Sequence, residues 1–499
     1  MHRPTDSRLS VACGILRTCA ASAIVALSAS GCESDNAVLA LPSEQTGQIV
    51  LDGNVEEWPQ DVACVADGEY VHLRFTVQGE PYTLQAGRST LSLYFDVDGD
   101  SDSGAKIEPV GGAVLEGADL EIQLSPTGAE PGAPKRGVEA YTIDKTGQKA
   151  KLPRGGAEFV FAPTYASTWY EARLARNNPL LPTLAGDGTV RGMMVQWTAK
   201  GSVLGYSDVF ETVLPPQRPA AAQAKLPVKP RGALRVLSYN VLKNRPETEP
   251  EPFARVLRAI NPDVVLLQEW TAASEAEIAQ WFQTHAGAGE GWHVIKAAGV
   301  DTSVAAKFPM REAGEPLEVS RGDGGMRKVP HTCAIVETPY GDVVVSSVHL
   351  KCCGSSGSSE DMVRVEEARA LNALLKEVSR QDERALACIV GGDFNLVGTR
   401  TPIDLLRMGL DMDGSDLSIA DARVLGDLAY YTWADDASGF SPGRLDFVLF
   451  SDVGARQLEA FVLDTARLSA EELERAGLEA TDSSASDHLP VIVDLLLRN

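Results

Sequence analysis

Five apolar runs in the second half of the chain stop abruptly on polar residues, and this pattern constrains the fold more than any other feature. Val236-Leu-Ser-Tyr-Asn240 closes on an amide, and Val264-Val-Leu-Leu-Gln-Glu269 closes on a carboxylate. Ser347-Val-His349-Leu, Gly391-Gly-Asp393-Phe-Asn395 and Ser486-Asp487-His488-Leu-Pro repeat the arrangement. Short apolar runs bounded by such residues are buried strands. Helical patterns lie between them. Phe253 to Ile260 is a short amphipathic helix that Asn261-Pro262 ends. Glu360 to Val378 places Met362, Val365, Leu371, Leu374, Leu375 and Val378 near one helical face, with Ser358 or Ser359 as N-cap. Ile389, Val390 and Phe447 to Phe450 supply further strands. Residues 234–499 therefore read as a mixed α/β domain.

The first half has a different texture. Tyr70–Val77, Thr90–Asp96, Asp119–Leu124 and Trp169–Leu174 alternate with period two, and long helical periodicity is missing. Residues 47–213 read as an all-β sandwich. Residues 214–233 are rich in Pro and Ala, which block both helix interior and central strand, so they read as a linker. At 499 residues, more than one domain is required.

Arg3 and Arg8 precede an apolar stretch, Ala20 to Ala29, too short to span a bilayer. It ends in Leu27-Ser-Ala-Ser-Gly31-Cys32, which resembles the lipobox of bacterial lipoproteins, although Ala29 stands where Leu is usual. The resemblance implies a signal peptide over 1–31, a lipid on Cys32 and a tether over 32–46. The product would be exported and anchored to the cell envelope. A plain secretory signal, giving a periplasmic or secreted product, is the other reading. Beyond these residues lie Cys64, Cys333, Cys352, Cys353 and Cys388, an odd number. Adjacent Cys352 and Cys353 lack the spacing of zinc ligands. A disulfide from them to Cys333 or Cys388 is the expectation, and the sequence does not settle the pairing.

The net charge is −24, and residues 234–499 hold 25 Lys and Arg against 42 Asp and Glu. Such a surface repels polyanions at long range, which weakens a reading as a nonspecific nucleic-acid binder. Cations bound in a pocket would reverse the field there.

A carboxylate at the end of a buried strand, as Glu269 is, needs compensation. A hard divalent cation supplies it, and Mg²⁺ usually takes one or two protein carboxylates. Asp393 and Asn395 flank Phe394 and share one side of an extended segment, and the two glycines before them permit close approach. Ser238-Tyr-Asn-Val241, Gln268-Glu269, Val348-His-Leu350, Gly391-Gly-Asp-Phe-Asn395, Gly443-Arg-Leu-Asp446 and Ser486-Asp-His488 stand in one order along the chain. Together they resemble the endonuclease/exonuclease/phosphatase superfamily, which holds DNase I-like nucleases, AP endonucleases, sphingomyelinases and inositol-polyphosphate phosphatases.

The resemblance covers about 234–499 and implies a four-layer α/β/β/α sandwich. It implies a phosphoric ester hydrolase using Mg²⁺ or Mn²⁺, with a phosphodiester in nucleic acid, lipid or a small molecule as substrate. By the same resemblance Glu269 ligates the main ion with Asn240 beside it, and Asp487 helps hold metal or position His488. Asp393 aligns or deprotonates the attacking water, or holds a second metal. Asn395 hydrogen-bonds the phosphate. His488, oriented by Asp446, is a second base or a phosphate clamp, and His349 donates to a phosphate oxygen or protonates the leaving group. Arg364 reaches the phosphate or lies on a solvated helix face; Trp433 walls the pocket or packs in the core. The loop Lys351–Glu360 carries a single Lys and lacks the basic, aromatic interleaving of a nucleic-acid groove. A non-catalytic glycan-binding or adhesion lipoprotein with a retired hydrolase domain is the alternative function. No protein partner is evident.

In the first half, Asp96-Val-Asp98-Gly-Asp100-Ser-Asp102 sets four carboxylates at alternate positions after a strand, which suits Ca²⁺. It is not an EF-hand, since Ser101 and Ile107 occupy the positions of the required Gly and Glu. With Ile49-Val-Leu-Asp-Gly-Asn-Val-Glu-Glu-Trp58 and Gly117-Ala-Asp-Leu it resembles the sandwich of family 9-like carbohydrate-binding (DOMON-like) modules. That implies bound calcium and a glycan partner.

Overall fold

The computed structural model describes residues 48–498, apart from 110, 128–134, 154, 187, 218–223 and 288–290. The segments read as signal peptide and tether, with Cys32, lie outside the described residues. No helix among those described is long and apolar enough to cross a membrane.

Two antiparallel sheets fill the first half. One runs Cys64–Ala66, Tyr70–Phe75, Tyr170–Ala175, Phe159–Ala162. The other runs Val203–Tyr206, Gly188–Thr198, Ser89–Asp96, Leu120–Leu124, Val138–Ile143, Lys149–Lys151, with Phe210–Leu214 also paired to Gly188–Thr198. Strand alternation explains how they pack. Leu91, Leu93 and Phe95 meet Leu73, Phe75, Phe161 and Tyr170 in one core, while Tyr94 faces the opposite side.

The second half holds two larger sheets. The first runs His293–Ile295, Ser303–Ala306, Val264–Gln268, Leu234–Asn240, Val491–Leu497, Ala455–Val462, Arg423–Val424. The second runs Met310–Glu312, His331–Thr338, Gly341–His349, Ala385–Asp393, Asp446–Phe450, Ser418–Ile419. The first sheet has a short parallel pair at its edge, Arg423–Val424 with Ala455–Val462. Each is built around a central parallel pair, Leu234–Asn240 with Val264–Gln268 and Gly341–His349 with Ala385–Asp393. Both faces of these strands are buried, which is why they read as unbroken apolar runs. Val236, Leu266, Val345, Ile389, Val448 and Val493 form the core between the sheets. Leu237, Leu267 and Ile492 face the helices Pro250–Ile260 and Glu275–His285. Val344, Val348, Cys388 and Val390 face Ser359–Gln381 and Thr401–Arg407. The layers are therefore helix, sheet, sheet, helix.

Local signals fix the helix ends. Asn261 closes Pro250–Ile260 in the left-handed conformation at φ 51°, and the Ser358 hydroxyl caps Ser359–Gln381 by accepting from the Asp361 N–H. The face of that long helix differs from the expectation. Met362 is 59% exposed, and the buried side carries Asp361, Val363, Arg364 and Glu367 beside Leu371, Leu375 and Val378. Polar side chains were admitted there because each has a partner: Glu367 accepts from the Lys351 N–H and pairs with Arg327.

The expected disulfide is absent among the described residues. Cys333 and Cys388 lie buried in the helix-facing core of the second sheet, whereas Cys352 and Cys353 are exposed on the loop after His349. Of the stretch read as a linker, residues 224–233 lie along the second half: Ala224 bridges Leu468, the Leu226 N–H donates to Glu472, and Lys229 pairs with Asp263.

Candidate functional site

Strand pairing alone gathers most of the polar strand ends. In the first sheet Asn240 stands opposite Gln268, so Glu269 follows one residue beyond the pair. Glu269 has φ 63°, a strained value for a residue with a side chain. Hydrogen bonds overdetermine it: Lys243 N–H donates to Oε2 at 3.1 Å and Asn244 N–H donates to its carbonyl at 3.1 Å. In the second sheet His349, Asp393 and Asp446 stand in one row across three adjacent strands. Gly392 makes that row possible: at φ 151°, a Cβ would sit 1.9 Å from the Val348 carbonyl oxygen.

The two sheets bring these rows together. Asn240 Nδ2 lies 3.2 Å from Glu269 Oε1 and 3.3 Å from Asp393 Oδ2, while its oxygen accepts from the Leu242 N–H. Asn395, at φ 48°, donates Nδ2 to Asp393 Oδ2 at 2.9 Å and to the Leu350 carbonyl at 3.2 Å. His349 Nε2 and His488 Nε2 approach Asp393 Oδ2 at 3.6 and 3.7 Å. Each imidazole is held from behind. His488 Nδ1 bonds Asp446 Oδ2 at 2.8 Å, and that oxygen also accepts from the Thr432 hydroxyl at 2.7 Å. His349 Nδ1 bonds Asp301 Oδ2 at 2.8 Å. A carboxylate on Nδ1 fixes the ring and leaves Nε2 facing the pocket.

Electrostatics follow from burial and crowding. Burial pushes His488 down, but the charges of Asp446 and Asp393 and the Asp446 hydrogen bond outweigh it and raise the ring to about 10. Burial likewise opposes the charge on His349, and the Asp301 hydrogen bond with the Asp393 charge raises it to about 9. Asp393 is held above the usual carboxylate range by burial, with Asp446 adding to the effect and the two histidines opposing it. Both rings are thus biased toward the protonated form, and Asp393 is biased toward the neutral one.

The donor set fits a divalent cation. Among the described residues, Glu269 is met by one backbone N–H and one amide, and no Lys or Arg side chain pairs with it. The Trp433 indole N–H donates to Asp487 Oδ2 at 3.0 Å, and Asp487 Oδ1 is buried with no hydrogen-bond partner among the described residues. An orphaned carboxylate oxygen in a crowded acidic pocket is a place for a hard cation. Asp393, Asp446 and His488 also bring one ligand atom each within 4.8 Å of one another. Asp446 already accepts two hydrogen bonds there, so Glu269 and Asp487 are the freer donors.

Of the sequence-expected site residues, Asn240, Glu269, His349, Asp393, Asn395, Asp446 and His488 join one contact network, and Asp487 adjoins it through Trp433. Trp433 is half-buried and bonds Asp487 beside this site. Arg364 takes neither expected position. It is fully buried, and its Nη1 donates to the Lys351 and Cys353 carbonyls at 2.7 Å each, so it shapes the loop after His349. Asp301 was missed because it precedes its strand. The following strand, Ser303–Ala306, runs antiparallel to Val264–Gln268, so its start lies at the sheet edge where the other strands end. Thr432 was missed because nothing local distinguishes it.

In the first half, Asp96 and Asp98 converge with Asp119, which the sequence reading did not include as a ligand; Asp100 and Asp102 lie outside that grouping. The Asp100 carboxylate instead stays in a local turn, accepting from the Asp102 N–H. Arg191 pairs with Asp96 and already neutralises it. Burial pushes Asp119 up to about 6, with the charges of Asp98 and Asp96 adding to it and the Ser103 hydrogen bond opposing.

Residues 237–488, just over half of the chain, match the model of the Endonuclease/Exonuclease/phosphatase family. No curated protein matches the sequence. Similar solved structures include an endonuclease/exonuclease/phosphatase family protein from Leptotrichia buccalis C-1013-b, at 15% identity over 53% of this chain and 99% of that one, with a TM-score of 0.35. Truncated TDP2 of Caenorhabditis elegans is 16% identical over 53% of this chain and 97% of its own, with a TM-score of 0.36. Sphingomyelinase C from Streptomyces griseocarneus is 15% identical over 52% and 99%, with a TM-score of 0.34.

Proposed function

The chain belongs to the endonuclease/exonuclease/phosphatase family, and on that premise we propose that it hydrolyses a phosphodiester with the help of Mg²⁺ or Mn²⁺. The observation that supports this most is the pair of buried His–carboxylate dyads, His488–Asp446 and His349–Asp301, converging on Asp393 opposite Glu269.

Glu269 and Asp487 would hold the cation, with Asn240 spacing Glu269 from Asp393. A bound divalent ion would neutralise charge on the phosphate oxygens and lower the pKa of nearby water. Asp393 accepts a proton from, or aligns, the attacking water, and Asn395 keeps its carboxylate turned toward the pocket. The two imidazoles present Nε2–H to the phosphate and stabilise the charge that grows on its oxygens. Asp446 and Asp301 keep both rings protonated until that moment, and one ring then passes its proton to the leaving oxygen. Retirement of the domain is disfavoured, because decay would have broken at least one member of this network.

The acidic surface favours a small or lipid phosphodiester over duplex DNA. Cys32 would anchor the chain at the cell envelope, and the first half would bind Ca²⁺ and a glycan. Purified residues 33–499 are to be tested on a bis-aryl phosphate, sphingomyelin and nucleic acid, each with and without EDTA. Turnover of at least one substrate that EDTA abolishes is expected; no metal-dependent turnover on any of them removes the enzyme reading.

A further inference from the structure

We propose that the N-terminal β-sandwich is a working part of the catalytic site, because three of its buried polar side chains hold the loops that lead into and out of the site residues. This rests on the phosphoesterase reading for its kinetic consequences, though not for its geometry.

Thr83 is 4% exposed. Its hydroxyl donates to the Val397 carbonyl at 2.7 Å and accepts from the Ser356 N–H at 3.0 Å. One oxygen atom thereby ties the loop that follows His349 to the loop that follows Asn395. Thr164, 7% exposed, donates to the Leu396 carbonyl at 2.6 Å, immediately after Asn395. Its methyl group packs on Gly443, where a Cβ would come within 2.3 Å. Gln85, 7% exposed, accepts from the Ser441 N–H at 2.6 Å, and the Ser441 hydroxyl donates back to the Phe159 carbonyl at 3.1 Å. Ser441 and Gly443 belong to the segment between Trp433, which bonds Asp487, and Asp446, which bonds His488.

Each of these contacts is supplied by the first half: those to Leu396 and Val397 fall within two residues of Asn395, and those to Ser356 and Ser441 fall on the loops that follow His349 and precede Asp446. Apart from the isolated Trp433–Gly443 bridge, these loops lie outside the strands of the sheets, so the sandwich contacts add rigidity that strands give the rest of the site. Asn395 illustrates the need. It sits at φ 48° with its side chain on Asp393, and the next three residues, Leu396, Val397 and Gly398, all give their carbonyls to the sandwich, through Thr164, Thr83 and the Ala166 N–H. Thr83, Gln85 and Thr164 are positioning residues.

The test is the full mature chain with Thr83→Val and Thr164→Val together, which keeps side-chain shape and removes both hydroxyls. On a bis-aryl phosphate kcat is expected to fall about 10-fold, as displacement of catalytic groups by a fraction of an ångström does, with KM within about 2-fold. Thr83→Ser with Thr164→Ser restores kcat. Hydrogen exchange of the same proteins reads the geometry without activity: amides in 351–358 and 396–400 exchange faster in the Val variant, while 434–443, still held by Gln85, and the strands around Val236 and Ile389 do not. Unchanged exchange in those loops in a folded Val variant overturns the proposal, as does a Ser variant no better than the Val variant. A wild-type protein without turnover would refute the hydrolase reading and leave the exchange arm to decide this one.

Discussion

The buried ion pair between Arg173 and Asp427 offers a quantitative test of how firmly the two halves are joined. Arg173 lies in the sandwich strand Tyr170–Ala175, and Asp427 lies in the turn after Arg423–Val424. The guanidinium meets the carboxylate twice, at 2.5 and 2.6 Å, with the side chains 3% and 1% exposed. Arg173 also stacks 4.0 Å over the Tyr70 ring. In Arg173→Met the aliphatic stem stays and the charge goes. Removing one partner of a buried pair costs roughly 3–5 kcal/mol, because the other charge is stranded. Here Arg467 stays 2.7 Å from Asp427 and is 31% exposed, so it compensates part of the loss. The lower end, about 3 kcal/mol, follows, with the lost ring stacking already inside that uncertainty.

The assay is urea unfolding of wild type, Arg173→Met, Asp427→Asn and the double variant. Neighbouring partners should give a coupling of about 2 kcal/mol. The pH dependence has a definite sign. Burial alone would push Asp427 up, but the hydrogen bonds and charge of Arg173, with Arg467, hold it below the ordinary carboxylate value. A depressed acid contributes stability above its unfolded pKa, near 4, and loses it as pH falls through the folded value. The gap between wild type and Arg173→Met should therefore be full at pH 7 and close at strongly acid pH. A loss under about 1 kcal/mol, or additive single variants, would refute the reasoning.

Asp393→Asn should lower turnover at least about 100-fold with little change in melting temperature, since it removes a buried charge that burial already disfavours; kinetics beside calorimetry check this. Asp119, raised to about 6, stabilises the metal-free fold fully below the unfolded value near 4 and loses that contribution as pH rises through about 6. Melting scans in EDTA should show that decline, Asp119→Asn should flatten it, and calcium should raise the melting temperature more at pH 7 than at pH 5. Native alkylation of reduced protein should mark Cys352 and Cys353 first, while Cys64, Cys333 and Cys388, whose thiols burial pushes up, label only on unfolding; peptide mass mapping decides.

What the sequence made legible was whatever a single strand or helix determines by itself. Val236 to Asn240 and Ala385 to Asp393 end where their apolar runs end, and the caps at Asn261 and Ser358 stand where their side-chain chemistry put them. Contacts across elements were harder. Arg364 looked like a candidate for solvent or substrate because helical periodicity says nothing about a loop folding back onto the helix. Cys333 and Cys388 could not be excluded as disulfide partners until the row of strands placed them on the helix-facing side of the sheet. Asp119 and Asp301 joined their carboxylate and imidazole neighbours only through strand pairing.

The same distinction explains why the charge of the chain and the charge of its site point different ways. Across the surface, acids outnumber bases and repel a polyanion. Inside the pocket, His349 and His488 are each backed by a carboxylate that favours a proton on the ring, so on the proposed reading the groups that would face a phosphate are donors. Long-range repulsion is screened beyond about 10 Å at ordinary salt, whereas the donors act at contact. A compact phosphodiester therefore meets the attraction and little of the repulsion, while a long duplex meets both. If salt raises kcat/KM on nucleic acid and leaves a bis-aryl phosphate unchanged, surface repulsion is the discriminating term; equal salt responses would mean that it is not.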